Sequence, residues 1–270
     1  MGCSTLPITR KRPGNNALTK VSAARPLALG ALGLALFLGL WELVPRLGLA
    51  PPTLLPMPSL LPAAFLREVQ NGIWPTAVAQ SLGHYLIGLA CGVAAGVALG
   101  VATGLWRPLE EALAWVVRVL RPIPGLAWVP FAILWFGVDQ AAAVFIIAVG
   151  VFWIVFFAAQ GAIRSVDRDL IEVAEAFGFS GAWDKLRKVL LPAALPGVLV
   201  GVRTALGQAW MAVVAAELFG VPGLGQRMNQ ASSLLATDIV VVYMLTMAAL
   251  YGLIDTLFVG IQSRALAWKK

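Results

Sequence analysis

Charge is what this chain has least of. Asp, Glu, Lys and Arg make up only 12% of its 270 residues, against roughly a quarter in ordinary soluble domains. That scarcity excludes a soluble globular fold, because too few side chains remain to hydrate its surface. Histidine occurs once, as His84, and cysteine twice, as Cys3 and Cys91. One histidine and two distant cysteines supply neither a metal-ligand set nor a disulfide framework. Cys3 lies in an N-terminal tail. Cys91 sits inside an apolar run and reads as a small filler, and His84 reads as a packing or interfacial residue. No Ser/His/Asp arrangement, carboxylate cluster or His-x-x-x-His pair is present, so the chain carries no catalytic constellation. The phosphate-loop pattern G-x-x-x-x-G-K-[ST] is missing, so ATP is not bound in that way by this chain. Short segments alternating apolar and polar residues, which mark a membrane β-barrel, are also lacking.

What remains is apolar: 60% of the residues are hydrophobic. Several runs reach the ~20 apolar residues that a helix needs to cross a bilayer. The fold class is all-α integral membrane with six transmembrane helices. Residues 1–25 form a basic tail with no apolar periodicity, expected to be disordered, and residues 26–270 form the membrane domain. The first span covers 26–44, between two prolines. A proline-rich connector, 45–80, contains one short amphipathic helix over 60–69, with Trp41 and Trp74 placed for interfacial belts. The second span, 80–105, carries Gly88, Gly92, Gly96, Gly100 and Gly104 at a strict spacing of four. Such a stripe lets a neighbouring helix approach to backbone contact. The third span is helical over 109–120, interrupted at Arg121 to Gly125, and resumes over 126–136, the form of a broken helix beside a substrate path. The fourth spans 141–162 with Asp139 and Gln140 at its cap. The fifth spans 193–219, and the sixth spans 239–261 with Thr237 and Asp238 at its cap. Residues 220–225 read as a turn-rich loop.

One polar island interrupts these runs, residues 164–192. Val166, Leu170, Val173, Ala174 and Phe177 fall at i, i+4, i+7, i+8 and i+11, which makes an amphipathic helix. Gly178 fits its C-terminus, where a left-handed residue is needed. Ser180 is placed to cap a second short helix with Trp183, Leu186, Val189 and Leu190 on its apolar side. Six spans put both termini on one side with this island. That side collects most of the chain's 20 Lys and Arg, while the opposite side holds only Arg46, Arg67 and Arg227. The positive-inside rule then places the termini and the island in the cytoplasm.

The residues Glu172, Ala174 and Gly178, followed by Leu191-Pro192, resemble the "EAA" loop of bacterial ATP-binding-cassette importer permeases. Leu55-Pro56-Met57-Pro58-Ser59, Leu134-Trp135-Phe136-Gly137-Val138-Asp139 and Thr204-Ala205-Leu206-Gly207 with Ala216-Glu217 are similar to the nitrate/sulfonate/taurine branch of that family. The resemblance implies a type I (MetI-like) permease of a bacterial inner membrane, acting as a homodimer. A cytoplasmic ATPase would dock on the hairpin 165–191, and a periplasmic or lipid-anchored solute-binding protein would deliver substrate. Membrane lipid is the remaining partner; no cofactor, metal or nucleic acid is implied. Glu172, Ala174, Gly178, Ser180, Leu191 and Pro192 become coupling residues. Two departures from the family pattern stand out: Val173 replaces an alanine, and the interval from Gly178 to Pro192 is one residue longer. An inserted residue turns a helix face by about 100° unless a bulge or loop absorbs it.

For a substrate path the residues are Arg118, Arg121, Arg203, Gln208 and Glu217. Arg118 and Arg121 flank the break, either facing a cavity or snorkelling to the interface. Arg203 and Glu217 are too far apart along one helix to pair, so each needs another partner. Arg203 serves either an anion or an internal ion pair. The substrate that the family resemblance implies is a small anion, aliphatic sulfonate or taurine first and nitrate next, and the cations Arg118, Arg121 and Arg203 are consistent with it. A pyrimidine thiamine precursor and a self-sufficient secondary transporter are the alternatives.

Overall fold

The computed structural model describes residues 24–179 and 181–269. Most of the basic tail, Cys3 and the Ser180 cap therefore lie outside the described residues. Two compact units emerge, Met1–Ala50 and Pro51–Lys270. The first contains α1 (Ala24–Arg46), which runs through Pro45 rather than stopping before it. A proline in the last turn forfeits a single helical hydrogen bond, and an i,i+4 ion pair between Glu42 and Arg46 (2.7 Å) supports the final turn.

In the second unit, α2 (Leu61–Gln70) is the connector's short helix, and α3 (Ile73–Leu105) follows it. The span starts well before residue 80. Gly72, at φ +71°, turns the chain, and Pro75 falls in the first turn, where its missing N–H is not needed. Then come α4 (Arg107–Leu120), a 3₁₀ turn (Gly125–Trp128) and α5 (Val129–Phe136). α6 (Gln140–Arg164) is capped by Asp139, whose carboxylate accepts from the Gln140 N–H at 2.7 Å.

The contact between α3 and α6 sets the architecture. A Cβ added at Gly88, Gly92, Gly96, Gly100 or Gly104 would meet Ile147, Val151, Val155, Ala159 or Ile163 in turn, at 2.6–3.1 Å. Both residue numbers rise together, so the two helices run parallel and in register over about 24 Å. The intervening chain must therefore return across the bundle before α6 begins. Only α4 and α5 are available for that return, and they bend by 84° at the break around residues 121–124. The bent pair therefore counts as one crossing. With the five continuous helices of membrane-spanning length and apolarity, that gives six among the described residues.

On the other face of α6 lies α9 (Leu191–Leu218). Gly197 faces Ala162, Gly201 faces Ala158, and Gln208 lies beside Gly150. Here one number rises as the other falls, so α9 is antiparallel to α6. The core is built mainly of α3, α6 and α9 side chains, with Tyr85, Ile146, Ile147, Val151, Val155 and Val213 almost fully buried, and Val129 of α5, Val221, Leu224 and Tyr243 join it. α10 (Leu224–Ser233) starts at the end of the expected 220–225 loop and runs through residues for which the sequence suggested no element, and α11 (Thr237–Ala265) closes the bundle. The expected cap at Thr237 and Asp238 is not formed. Ala236 takes the cap position without a side-chain bond, because Asp238 pairs instead with Arg67 of α2 at 2.8 Å. Buried Glu68 accepts from Tyr243 Oη (2.7 Å) and Arg227 (3.3 Å), which ties α2 to α10 and α11.

Gly100→Ala places a Cβ 2.5 Å from the Phe156 carbonyl oxygen, a backbone atom that cannot rotate away. A loss of roughly 1–3 kcal/mol is expected, read as a lower unfolding temperature of the detergent-solubilised protein. Gly161→Ala, with nothing within 4 Å, is the control and should be neutral or stabilising by up to about 1 kcal/mol.

Candidate functional site

The polar island folds into two helices joined by a tight turn. α7 (Arg168–Ala176) starts at Asp167, whose carboxylate accepts from the Asp169 N–H at 3.2 Å. It ends on paired bonds: Gly178 N–H to Glu175 O (3.0 Å) and Phe179 N–H to Ala174 O (3.0 Å). This is a Schellman closure. Gly178 sits at φ +88° with open space around it, so glycine is required there by backbone conformation and not by crowding. α8 (Ala182–Lys185) follows, with Gly181 at its cap position.

α8 does not end before the next span. A π-helical turn, Leu186–Leu190, joins it to α9, with the Leu191 N–H bonded to the Leu186 carbonyl in i→i+5 fashion. A π turn holds one residue more than an α turn. It falls between Gly178 and Pro192, and the helix continues unbroken through Leu191 and Pro192.

Two contacts brace the hairpin: Lys185 pairs with Glu175 at 2.8 Å, and the Lys188 ammonium lies 4.5 Å above the Phe179 ring. The apolar stripe of α7 divides. Ala174 is buried, whereas Leu170, Val173, Phe177 and, in α8, Trp183 point outward with 49–78% exposure. Glu172 is exposed beside them. An apolar cleft of about 560 Å³, lined by Leu105, Ile171, Trp183, Leu186 and Leu190 among others, opens between the hairpin and the end of α3.

The residues proposed for a path are scattered. Arg121 lies 4.4 Å above Phe157 and Arg118 lies 4.8 Å above Trp115, both exposed, so each guanidinium rests on an aromatic ring next to the break. Gln208 does approach the break: it neighbours Gly150, and Gly150 in turn faces Gly125. Arg203 makes the internal pair, with Nε and Nη2 bonded to the two Asp255 oxygens of α11 at 3.1 and 3.0 Å.

Glu217 is consumed by packing. It has no exposure. Its Oε1 accepts from Ser81 Oγ (2.6 Å), and its Oε2 accepts from the Gly225 N–H (2.8 Å) in the first turn of α10. Ser81 Oγ also accepts from the Leu224 N–H at 3.0 Å. Carboxylate and hydroxyl together satisfy two of the free donors of the α10 N-terminus and fasten it to α3 and α9. His84 Nδ1 stands 3.5 Å from Oε1 and has no hydrogen-bond partner among the described residues. Sequence reasoning missed Ser81 entirely and left Asp255 without a role. The signal for Asp255 was available, since an arginine at mid-span needs an opposite charge, and the sixth span holds one.

Comparison with known proteins adds the family. Residues 92–266 match the model of the binding-protein-dependent transport system inner membrane component. SsuC of Escherichia coli K12, named for aliphatic sulfonates transport as a permease protein, is 39% identical over 80% of this chain and 82% of its own. The taurine transport system permease protein TauC of the same organism is 32% identical over 91% of each. The riboflavin transport system permease protein RibX of Chloroflexus aurantiacus is 38% identical over 94% of this chain and 97% of its own. Among solved structures, an inward-facing MetNI methionine ABC transporter chain superposes with TM-score 0.63 at 23% identity, over 73% of this chain and 98% of that one. The fold is thus shared with that transporter.

Replacing Glu217 with Ala empties a fully buried site and leaves two donors, Ser81 Oγ–H and Gly225 N–H, without their acceptor. A loss of about 2–4 kcal/mol is expected. Thermal unfolding should show it, and Glu217→Gln, which still offers an acceptor oxygen, should lose less.

Proposed function

This chain belongs to the family of binding-protein-dependent transport system inner membrane components, and from that premise we propose how it works and what it carries. It is a transport subunit of an ABC importer, not an enzyme. The hydrolysis of ATP falls to a separate subunit and the delivery of solute to a binding protein. In the proposed arrangement two copies of the chain face each other and both termini lie in the cytoplasm.

The ATPase docks on the hairpin 165–191. The observation that carries this is the outward set Leu170, Val173, Phe177 and Trp183, on a hairpin whose own turn and ion pair are satisfied. Exposed apolar clusters rimmed by polar residues mark protein contacts. Glu172 and Ala174 belong to the docking helix, Gly178 to its turn, and Leu191 and Pro192 to the start of α9. Closure of two ATPase subunits would draw the hairpins together and tilt α9, so that the path opens alternately to either side.

The cargo proposed is a small sulfonate, aliphatic or taurine-like, with nitrate next. The support is the 39% and 32% identity to permeases named for those solutes. A second reading, a heteroaromatic solute, is favoured by the 38% identity to a riboflavin permease over nearly the whole chain.

The test is reconstitution of the chain with its ATPase and binding protein in liposomes. ATP-driven uptake of labelled taurine or an alkanesulfonate is expected, with none in the chain alone. Uptake of riboflavin and not of sulfonates would overturn the cargo. Gly178→Val forces a β-branched residue into left-handed backbone, at roughly 1–2 kcal/mol. Uptake should fall at least about tenfold while the protein still inserts; normal uptake by that variant would remove the hairpin from the coupling step.

A further inference from the structure

The pair formed by Arg203 and Asp255 is in an unusual place. Along α9, Arg203 lies about 18 Å from Leu191 and about 22 Å from Leu218, and Asp255 is about 15 Å from the C-terminal end of α11. Both charges therefore sit at membrane depth, yet their side chains remain 48% and 30% exposed. A buried structural pair would be closed on all sides. This one is open on the face of α9 that also shows Val200, Thr204 and Met211. Charges at this depth do not face lipid without a large cost, so the face borders water or protein.

The bonding pattern shows what the pair leaves available. Asp255 occupies only the Nε/Nη2 edge of the guanidinium. No other hydrogen bond to Arg203 is found among the described residues. A guanidinium has a second edge, Nη1/Nη2, whose parallel N–H donors match two oxygens of an oxyanion. Asp255 thus holds the fork in one orientation and points its second edge away from itself.

Resting on the proposed import function, we infer that the free edge of Arg203 is a transient subsite for the sulfonate group of the cargo, and that Asp255 is the residue positioning it. Asp255 also tempers the site. A lone cation at this depth would bind an anion and keep it, whereas a cation already shared with a carboxylate binds weakly. Weak binding is what passage requires, because a site on a path must release what it takes up. Arg203 is therefore selective for oxyanions by geometry and permissive for release by charge.

The test uses the complete transporter in liposomes, with permease, ATPase and binding protein, and labelled taurine. Wild-type uptake tests the import reading alone; if the wild type carries no sulfonate, that reading falls and this subsite with it. Given wild-type uptake, the decisive variant exchanges the two residues, Arg203→Asp with Asp255→Arg. The exchange keeps an ion pair between α9 and α11 but moves the fork to the other helix. Sulfonate uptake is expected to fall at least about tenfold, with membrane abundance and thermal stability close to wild type. Wild-type uptake by the exchanged pair would show a purely structural bridge and overturn the subsite. Should the exchanged protein fail to insert, Arg203→Lys serves instead, because it keeps the charge and loses the two-pronged edge. Its maximal uptake rate at saturating loaded binding protein should drop about tenfold, and an unchanged rate would overturn the proposal.

Discussion

Backbone contact between α3 and α6 is the constraint on which the rest of the structure depends. Five glycines at one spacing remove every side chain from one stripe of α3, and the branched or small residues of α6 fill the space directly. In lipid there is no hydrophobic force between apolar helices, so association rests on such close van der Waals fit. The register is equally constrained. A slip of one residue in either helix would bring a Cβ where the stripe allows none, and it would do so at five places together. Because the locked helices are parallel, the chain between them has to cross back, and that crossing is the one it breaks. The rigid contact and the irregular span are two sides of a single requirement.

The polar groups follow from the same geometry. With α6 occupied by α3 on one face and α9 on the other, a charged residue on these helices has few places to go. Glu217 goes inward, toward the α10 N-terminus, where Ser81 Oγ–H and the Gly225 N–H bond one to each of its oxygens. Arg203 goes outward and takes Asp255 from α11. One carboxylate fastens a helix end, the other holds a guanidinium open on one side. The difference is burial, since a carboxylate without exposure must be fully bonded, whereas the half-exposed pair has room for a further ligand.

What the sequence revealed was what repeats or what punctuates. The glycine spacing, the Pro/Gly break after Leu120, the Asp139 cap and the left-handed Gly178 were all legible because each rests on local backbone physics. Partners distant in sequence were not. Arg67 draws Asp238 out of its expected capping role, Ser81 serves Glu217 from 136 residues away, and Asp255 answers Arg203 from 52 residues away. No periodicity encodes such pairs; only the packed bundle brings them together. The start of α3 was misplaced for a related reason. Pro75 reads as a breaker in sequence, but a proline in a first helical turn breaks nothing. α10 was overlooked because its polar, glycine-framed sequence has little apolar pattern to read, and its N-terminus is made by Glu217 rather than by a residue next to it.

α9 links these features into one lever. Its beginning is continuous with the hairpin through the π turn, its middle holds Arg203, and its end is pinned by Glu217. A loop between the hairpin and α9 would hinge the two. The π turn instead keeps the backbone hydrogen-bonded through Leu191, so that in the proposed coupling a displacement at the hairpin would reach the span. Near its start α9 touches α6 through Gly197 and Gly201 against Ala162 and Ala158, contacts with no long side chain to interlock. Near its end it is bonded to both α3 and α10. A lever that is smooth at its driven end and fastened at the other pivots about the fastened end. On the proposed coupling, the residues that move most are those nearest the ATPase, those at Glu217 stay still, and Arg203 between them moves relative to the break at Gly125.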